Sequence, residues 1–159
     1  MRLPSLSARR LAVAVAAAVI VADQLTKWWA VSRLPGDPII LIPDFLALRY
    51  YANPGAAFGM LPGAGSIIAL VAIAAGIAIL IVVRRLEGRL ETVAMGLVLG
   101  GAIGNLIDRI FRGEGLLDGK VVDFVDFDFF PAFNVADSAI TIGAILAVVV
   151  AFFLSERTE

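Results

Sequence analysis

Hydrophobic positions run along this chain in four long blocks, separated by stretches where polar residues, glycines and prolines gather. Each block approaches the roughly 20 apolar residues with which an α-helix crosses about 30 Å of hydrocarbon. The first runs from Leu11 to about Val31 and is interrupted by Asp23, Gln24 and Lys27. The second, Ser66 to Val83, carries no charge. The third, Thr92 to Phe111, stays apolar until Asn105 and Asp108, and the fourth, Ala136 to Leu154, holds Asp137 in its first turn. The pattern predicts four transmembrane helices. Asp37 to Gly65 is too irregular to span, and its "IILI" and "FLALRYYA" runs, bounded by Pro38, Pro43 and Pro54, read as short strands. Gly113 to Phe133, rich in glycine and then in aromatics, reads as a second loop outside the bilayer.

Charge gives these elements an orientation. Arg2, Arg9, Arg10, Arg84, Arg85, Arg89 and Arg157 fall on one side of the predicted spans, and Arg33, Arg49, Arg112 and Lys120 on the other. Basic residues favour the cytoplasm, so both termini are expected inside, with Trp28 and Trp29 in the outer aromatic belt. The expected fold is therefore an all-α membrane protein. It is a four-helix transmembrane bundle in a single domain over residues 1–159, with a small extracytoplasmic β-layer and a second outer loop. Arg9-Arg10 before an apolar run ending near Ala22 also has the look of a cleavable secretory signal. Cleavage there would strand Asp23 and Lys27 at a new N-terminus, and the four-span reading is preferred.

Composition then narrows the chemistry. Apolar residues make up 60% of the chain and charged residues 17%, with a net charge of −1. No basic stripe is present to neutralise phosphates, so a nucleic-acid partner is not expected. The chain has no Cys and no His. Thiol catalysis, disulfides and thiolate metal sites are thereby excluded, as are the usual general base and the commonest zinc ligand. Acid–base chemistry would have to fall to Asp, Glu, Lys or Tyr.

Polar residues within spans are costly, about 2.5–3.5 kcal/mol for a charge at the bilayer centre, and they usually mark function. In this topology Asp23 and Lys27, Asn105, Asp108 and Arg109, and Asp137 all lie toward the outer side, with Asn53 and Asp123 in the outer segments. Bland readings exist for each. Asp23 and Lys27, four apart, can pair along one helix face. Asp108 and Arg109 can be interfacial charges reaching water. Asn134 and Asp137 can cap a helix. Gly96, Gly100 and Gly104 form a small-residue ridge expected to serve packing alone. Against the capping reading stands a companion pair, Asn105 and Asp108, at the same spacing and depth on the neighbouring span. Hydrolysis without His or Cys can use two carboxylates sharing a proton, or a serine activated by lysine. The surplus of outer aspartates favours the first. Ser138, which follows Asp137, gives a Ser–Lys pair little support, and a metal held by carboxylates stays open on spacing alone.

Several motifs carry a resemblance. "DQLTK" (Asp23 to Lys27), "NPGAAFG" (Asn53 to Gly59), "GNLIDR" (Gly104 to Arg109), "VVDF" (Val121 to Phe124) and "FNVADS" (Phe133 to Ser138) resemble blocks of the lipoprotein signal peptidase family, also called signal peptidase II. The blocks occur in the family's order from the first span to the fourth. The resemblance implies an aspartic endopeptidase of the bacterial cytoplasmic membrane, cutting signal peptides from diacylglyceryl-modified prolipoproteins without a cofactor or metal. It implies Asp123 and Asp137 as the catalytic pair. Asn53, Asn105, Asp108, Arg109 and Asn134 would bind substrate or brace the pair, and Asp23 with Lys27 would stabilise the site. Arg109 could orient a substrate carbonyl through its fork of donors. The family is also the target of cyclic peptide and macrocyclic antibiotics, and four spans can complete a site in one monomer. Asp126 and Asp128 are not family positions and read as solvated loop charges. Intramembrane Asp, Lys and Arg are also compatible with two other classes: a small transporter or ion or proton relay, and a structural membrane protein glued by its Asn–Asp pairs.

Overall fold

The structure is a computed structural model that describes residues 5–55, 65–86 and 88–155. Residues 56–59 of the "NPGAAFG" block, and Arg2 and Arg157 of the charge pattern, lie outside the described residues. The chain runs α1 (Ser5–Arg33), β1 (Ile39–Ile42), β2 (Leu46–Asn53), α2 (Gly65–Val82), α3 (Arg89–Phe111), β3 (Val121–Phe127), β4 (Phe130–Phe133) and α4 (Val135–Ser155). A 3-10 turn over Val83–Arg85 prolongs α2. All four helices are long and apolar enough to cross a membrane. The protein is a multi-pass membrane protein.

Local chemistry sets the helix ends. At the end of α1 the Leu34 N–H still reaches Ala30 O, but Pro35 follows and Gly36 takes a positive φ of 92°, which reverses the chain without a Cβ penalty. Gly88 precedes α3, and Thr92 Oγ1 donates to Gly88 O at 2.7 Å. Glu91 supplies the acid that the first turn of a helix favours.

The bundle is held by close approach rather than by large side chains. α3 is the central element, packing against α1, α2 and α4. A Cβ built on Gly96 would stand 2.9 Å from Ala12 O, and one on Gly100 only 2.8 Å from Ala16 O, so α1 and α3 touch backbone to backbone. The glycine ridge expected to serve packing does so at these two positions. Its third member has a second role, because a Cβ on Gly104 would lie 2.6 Å from Asp23 Oδ2. The ridge clears space for a buried carboxylate.

The irregular segments combine into one four-stranded antiparallel sheet of order β1-β2-β3-β4. This alters one expectation. The later part of the second loop, Val121 to Phe133, is two strands, and β3 pairs with β2 from Leu46↔Phe127 to Asn53↔Val121. Most of β3 is buried, so it lacks the alternation of apolar and polar positions that marks a half-exposed strand. The sheet packs on the end of the bundle where α1 and α3 finish and α4 begins. Ala30 and Leu34 of α1 form a core there with Val122 and Phe124, and Trp29 sits edge-on to Phe124 at 6.5 Å. Its neighbour Trp28 is 70% exposed.

Candidate active site

α1 and α3 bury charged side chains in the bundle, and the site begins with how that charge is matched. Asp23, Lys27 and Asp108 are fully buried. Lys27 Nζ lies 2.9 Å from Asp23 Oδ2, 3.0 Å from Asp108 Oδ2 and 2.8 Å from Asn105 Oδ1. An ammonium has three protons to donate and each finds an acceptor, which is the condition for burying it. The i,i+4 pair read from the sequence is real, but it extends across to α3. Asp108 does not reach for water: its other oxygen accepts from Arg112 Nε at 2.8 Å, and Oδ2 also takes the Val122 N–H at 3.0 Å. Asp108 thereby fixes the start of β3, one residue before Asp123.

Asp23 has a second task. Its Oδ1 accepts the Ala136 N–H at 2.9 Å, so a carboxylate from α1 closes a free donor in the first turn of α4, where negative charge is favoured. Gln24 Nε2 donates to Asp23 Oδ2 and to Gly104 O, both at 3.1 Å.

Three asparagine amides then meet two carboxyl groups. Asn105 Oδ1 is held by Lys27, so its Nδ2 turns to Asp137 Oδ1 at 2.8 Å. Asn134 Oδ1 accepts the Asp137 N–H at 2.9 Å, and its Nδ2 reaches Asp123 Oδ1 at 2.7 Å. Asn53 Oδ1 accepts the Gly55 N–H at 3.0 Å, and its Nδ2 reaches Asp123 Oδ2 at 3.0 Å. In each case the amide oxygen is committed elsewhere, which leaves the NH2 group for a carboxylate. The Asn134 N–H also donates to Asp137 Oδ2 at 3.2 Å, completing a reciprocal capping box. The capping and site readings of Asn134 and Asp137 were alternatives in the sequence. Here Asn134 and Asp137 form the cap, and the Asn134 side chain also reaches Asp123.

Asp123, on β3, and Asp137, in the first turn of α4, line a common cleft of about 660 Å³. Asn53, Asn105 and Arg109 also border it, while Ile68, Phe130, Ile140 and Ile142 make it mostly apolar. Burial pushes the Asp123 carboxyl up to about 6; the charge of Asp137 adds to the rise, and the amides of Asn53 and Asn134 oppose it. A group that holds its proton to such a pH can donate it near neutrality.

Arg109 is 4% exposed and does not pair with its neighbour Asp108. Its Nη2 donates to Gly55 O at 2.6 Å and its Nη1 to Gly119 O at 3.1 Å. It ties the segment after β2 to the one before β3, at the end of the strand pair where Asn53 faces Val121. Ser138 Oγ donates to Asn134 O at 3.0 Å, and Lys27 is enclosed by three acceptors, so these two side chains make no Ser–Lys pair. Among the described residues no group of three or more carboxylates is placed to hold a metal ion.

Asp126 departs from its expected role as a solvated charge. It is buried, accepting from Arg49 Nη1 at 2.7 Å and Tyr51 Oη at 2.9 Å, because β2 pairs along β3 and brings both donors over it. Asp128 lies in the exposed turn between β3 and β4, as expected of a loop charge. Gln24, Arg112 and the Arg49–Tyr51 pair escaped the sequence reading. Of these, Arg112 had a signal in its i,i+4 spacing from Asp108.

Known proteins resemble this chain along most of its length. The sequence profile of signal peptidase (SPase) II matches residues 15–153. A lipoprotein signal peptidase of Rhodococcus jostii (strain RHA1) is 49% identical over 143 residues, covering 89% of this chain and 72% of its own. One from Geobacillus kaustophilus (strain HTA426) is 45% identical, covering 89% and 92%. A bacterial membrane enzyme solved by the in meso method at 2.3 Å resolution superposes with a TM-score of 0.82 at 32% identity, covering 93% of this chain and 91% of that one.

Proposed function

The chain belongs to the signal peptidase II family, and from that premise we propose that it is an aspartic endopeptidase with Asp123 and Asp137 as its catalytic pair. The observation that carries the proposal is Asn134. Its side chain donates to Asp123 and its backbone N–H to Asp137, so two carboxyl groups from different elements are held at one cleft.

The proton of the pair resides on Asp123, whose ionisation burial opposes. Asp137 accepts two N–H bonds and acts as the base. It removes a proton from a water molecule as the water oxygen bonds to the scissile carbonyl carbon, while Asp123 protonates the carbonyl oxygen. Collapse of that intermediate breaks the C–N bond. The departing nitrogen takes the proton held by Asp137, and the hydroxyl proton returns to Asp123. Both carboxyl groups end as they began.

The substrate of this reading is a prolipoprotein carrying a diacylglyceryl group on the cysteine after the scissile bond. Its acyl chains would lie against Ile68, Phe130, Ile140 and Ile142 while the peptide reaches the carboxylates. Asn105, Asn134 and Asn53 orient the pair, Asp23, Lys27 and Asp108 hold those amides in place, and Arg109 fixes the flanking backbone. The protein acts as a monomer in the bacterial cytoplasmic membrane, with both termini in the cytoplasm and the cleft at the extracytoplasmic face. Cyclic peptide and macrocyclic antibiotics would compete for the same cleft.

Cleavage of a lipidated prolipoprotein by purified Asp123→Asn and Asp137→Asn tests the assignment. Each variant is expected to lose at least about a hundredfold in kcat while still inserting as a folded protein. Near-full activity in either one sinks the dyad.

A further inference from the structure

β2 and β3 do not match residue for residue. Leu46 to Leu48 lie opposite Phe127 to Val125, and Tyr51 to Asn53 lie opposite Asp123 to Val121. Between those blocks β2 supplies Arg49 and Tyr50 where β3 supplies only Phe124, so β2 carries one extra residue, a bulge. That residue sets the register beyond it. Counted on from Leu48↔Val125 without it, Tyr50 would stand opposite Asp123, and Asn53 would fall past Val121, beyond the start of β3. With it, Tyr51 stands opposite Asp123. Asn53, two residues on along the same face, then reaches Asp123 Oδ2 at 3.0 Å.

A side-chain cluster outside the cleft grips the bulge. Asp126 Oδ2 accepts from Nη1 of Arg49, a bulge residue, at 2.7 Å. It also accepts from the hydroxyl of Tyr51, the first residue paired again after the bulge, at 2.9 Å. Arg49 Nη1 donates to Tyr51 Oη as well, at 3.1 Å, which closes a ring of side chains. Asp126 itself lies opposite Ala47, on the other side of the bulge. One carboxylate oxygen therefore fastens both ends of the irregularity. Asp126 is buried without lining the cleft, and among the described residues its side-chain partners are Arg49 and Tyr51. Only Ala47 of β2 is fully buried, so burial specifies the register of this strand weakly and leaves a role for a polar latch.

We propose that Arg49, Tyr51 and Asp126 are positioning residues for the peptidase: by pinning the bulge they set the Asn53 amide against Asp123. The proposal rests on the reading of Asp123 as one of the catalytic pair. The three residues act through strand register and hold no reacting atom.

The test compares Asp126→Ala, Tyr51→Phe and Asn53→Ala with the wild-type full chain in detergent. Cleavage of a lipidated prolipoprotein is followed across pH, and hydrogen exchange is followed at the β2 amides. Asp126→Ala should lower kcat/KM on the order of tenfold to a hundredfold, as small misplacements at a site do. It should also move the alkaline limb upward, as Asn53→Ala does, because the Asn53 bond favours ionised Asp123. Lys27, Arg109, Asn134 and Asp137 also act on Asp123, but none of them bonds Asp126, so an upward limb points to Asn53. Added to Asn53→Ala, the Asp126→Ala change should alter rate and limb by no more than about twofold, since both act on one contact. Tyr51→Phe removes one donor and keeps the ring, and should give a smaller change of the same sign. Exchange should quicken from Arg49 to Asn53 in Asp126→Ala and stay as in wild type in α1 and α4. An unmoved limb, or a full further loss on top of Asn53→Ala, would reduce the cluster to a sheet staple and overturn the proposal. Unchanged exchange in β2 would overturn it too, whether or not the protein cleaves. A wild-type protein that fails to cleave would sink the peptidase reading, while exchange still decides whether the latch sets the register of β2.

Discussion

Each of the three asparagines at the cleft acts through the partner that holds its oxygen. Lys27 orients Asn105, the Asp137 N–H orients Asn134, and the Gly55 N–H orients Asn53. Removing Lys27 would therefore be felt twice. Lys27→Met leaves Asp23 and Asp108 buried without their cation, a change that costs about 3–5 kcal/mol for a buried pair and that also frees Asn105 to turn. The expected outcome is a large fall in the unfolding temperature in detergent, together with loss of cleavage. A pH profile reads the second residue-scale consequence. Because Asp123 holds its proton up to about 6, the singly protonated pair persists below that pH and is lost as pH rises through it. The alkaline limb of kcat/KM should fall with a midpoint near 6. The Asn53 amide favours the ionised form of Asp123, so Asn53→Ala should move the limb upward while lowering the rate. A downward shift would mean that Asn53 does not act on Asp123.

Among elements, α3 bears most of the burden, since α1, α2 and α4 all pack on it and it delivers Asn105, Asp108 and Arg109 at one end. Its glycines measure how closely the helices approach. Gly100→Ala would press a methyl group into the α1 backbone and should cost about 1–3 kcal/mol by overpacking. Gly76→Ala on α2, whose nearest neighbour would be 3.6 Å away, should lose nothing measurable. Thermal unfolding of both variants in one detergent decides the point. A harmless Gly100→Ala would mean that α1 and α3 can slide apart. Reading α3 and α4 as spans needed only their apolar runs. Reading β3 needed more, because "VVDFVDF" is covered on both sides and only the pairing with β2 reveals it as a strand.

At the scale of the whole molecule, the buried charged side chains among the described residues gather at one end of the bundle, and Arg84, Arg85 and Arg89 lie at the other. That asymmetry argues for a site at one membrane face rather than a path across. The chain has no cysteine, so single engineered cysteines report cleanly on sidedness. A thiol reagent that cannot cross membranes should label Glu114→Cys from the extracytoplasmic side of intact cells' inner membranes. Arg10→Cys should react only after the membrane is opened. Reversed labelling would invert the proposed orientation.

Four spans, the gathering of Asp23, Lys27, Asn105, Asp108 and Asp137 toward one side, and the family itself were legible in the sequence. Hydrocarbon imposes length and apolarity on anything that crosses it, and it makes every intramembrane charge conspicuous. What the sequence alone determined, then, was which polar residues enter the apolar region and at what depth. Tertiary structure decided which of them meet. Lys27 bonds Asn105 and Asp108 on another helix, and Asp23 closes the start of α4. Asp126, so near Asp123 in sequence, is taken by Arg49 and Tyr51 instead of joining the cleft. Depth follows from local composition, whereas a partner across the bundle depends on helix rotation and strand register, and these are fixed only when the whole chain packs.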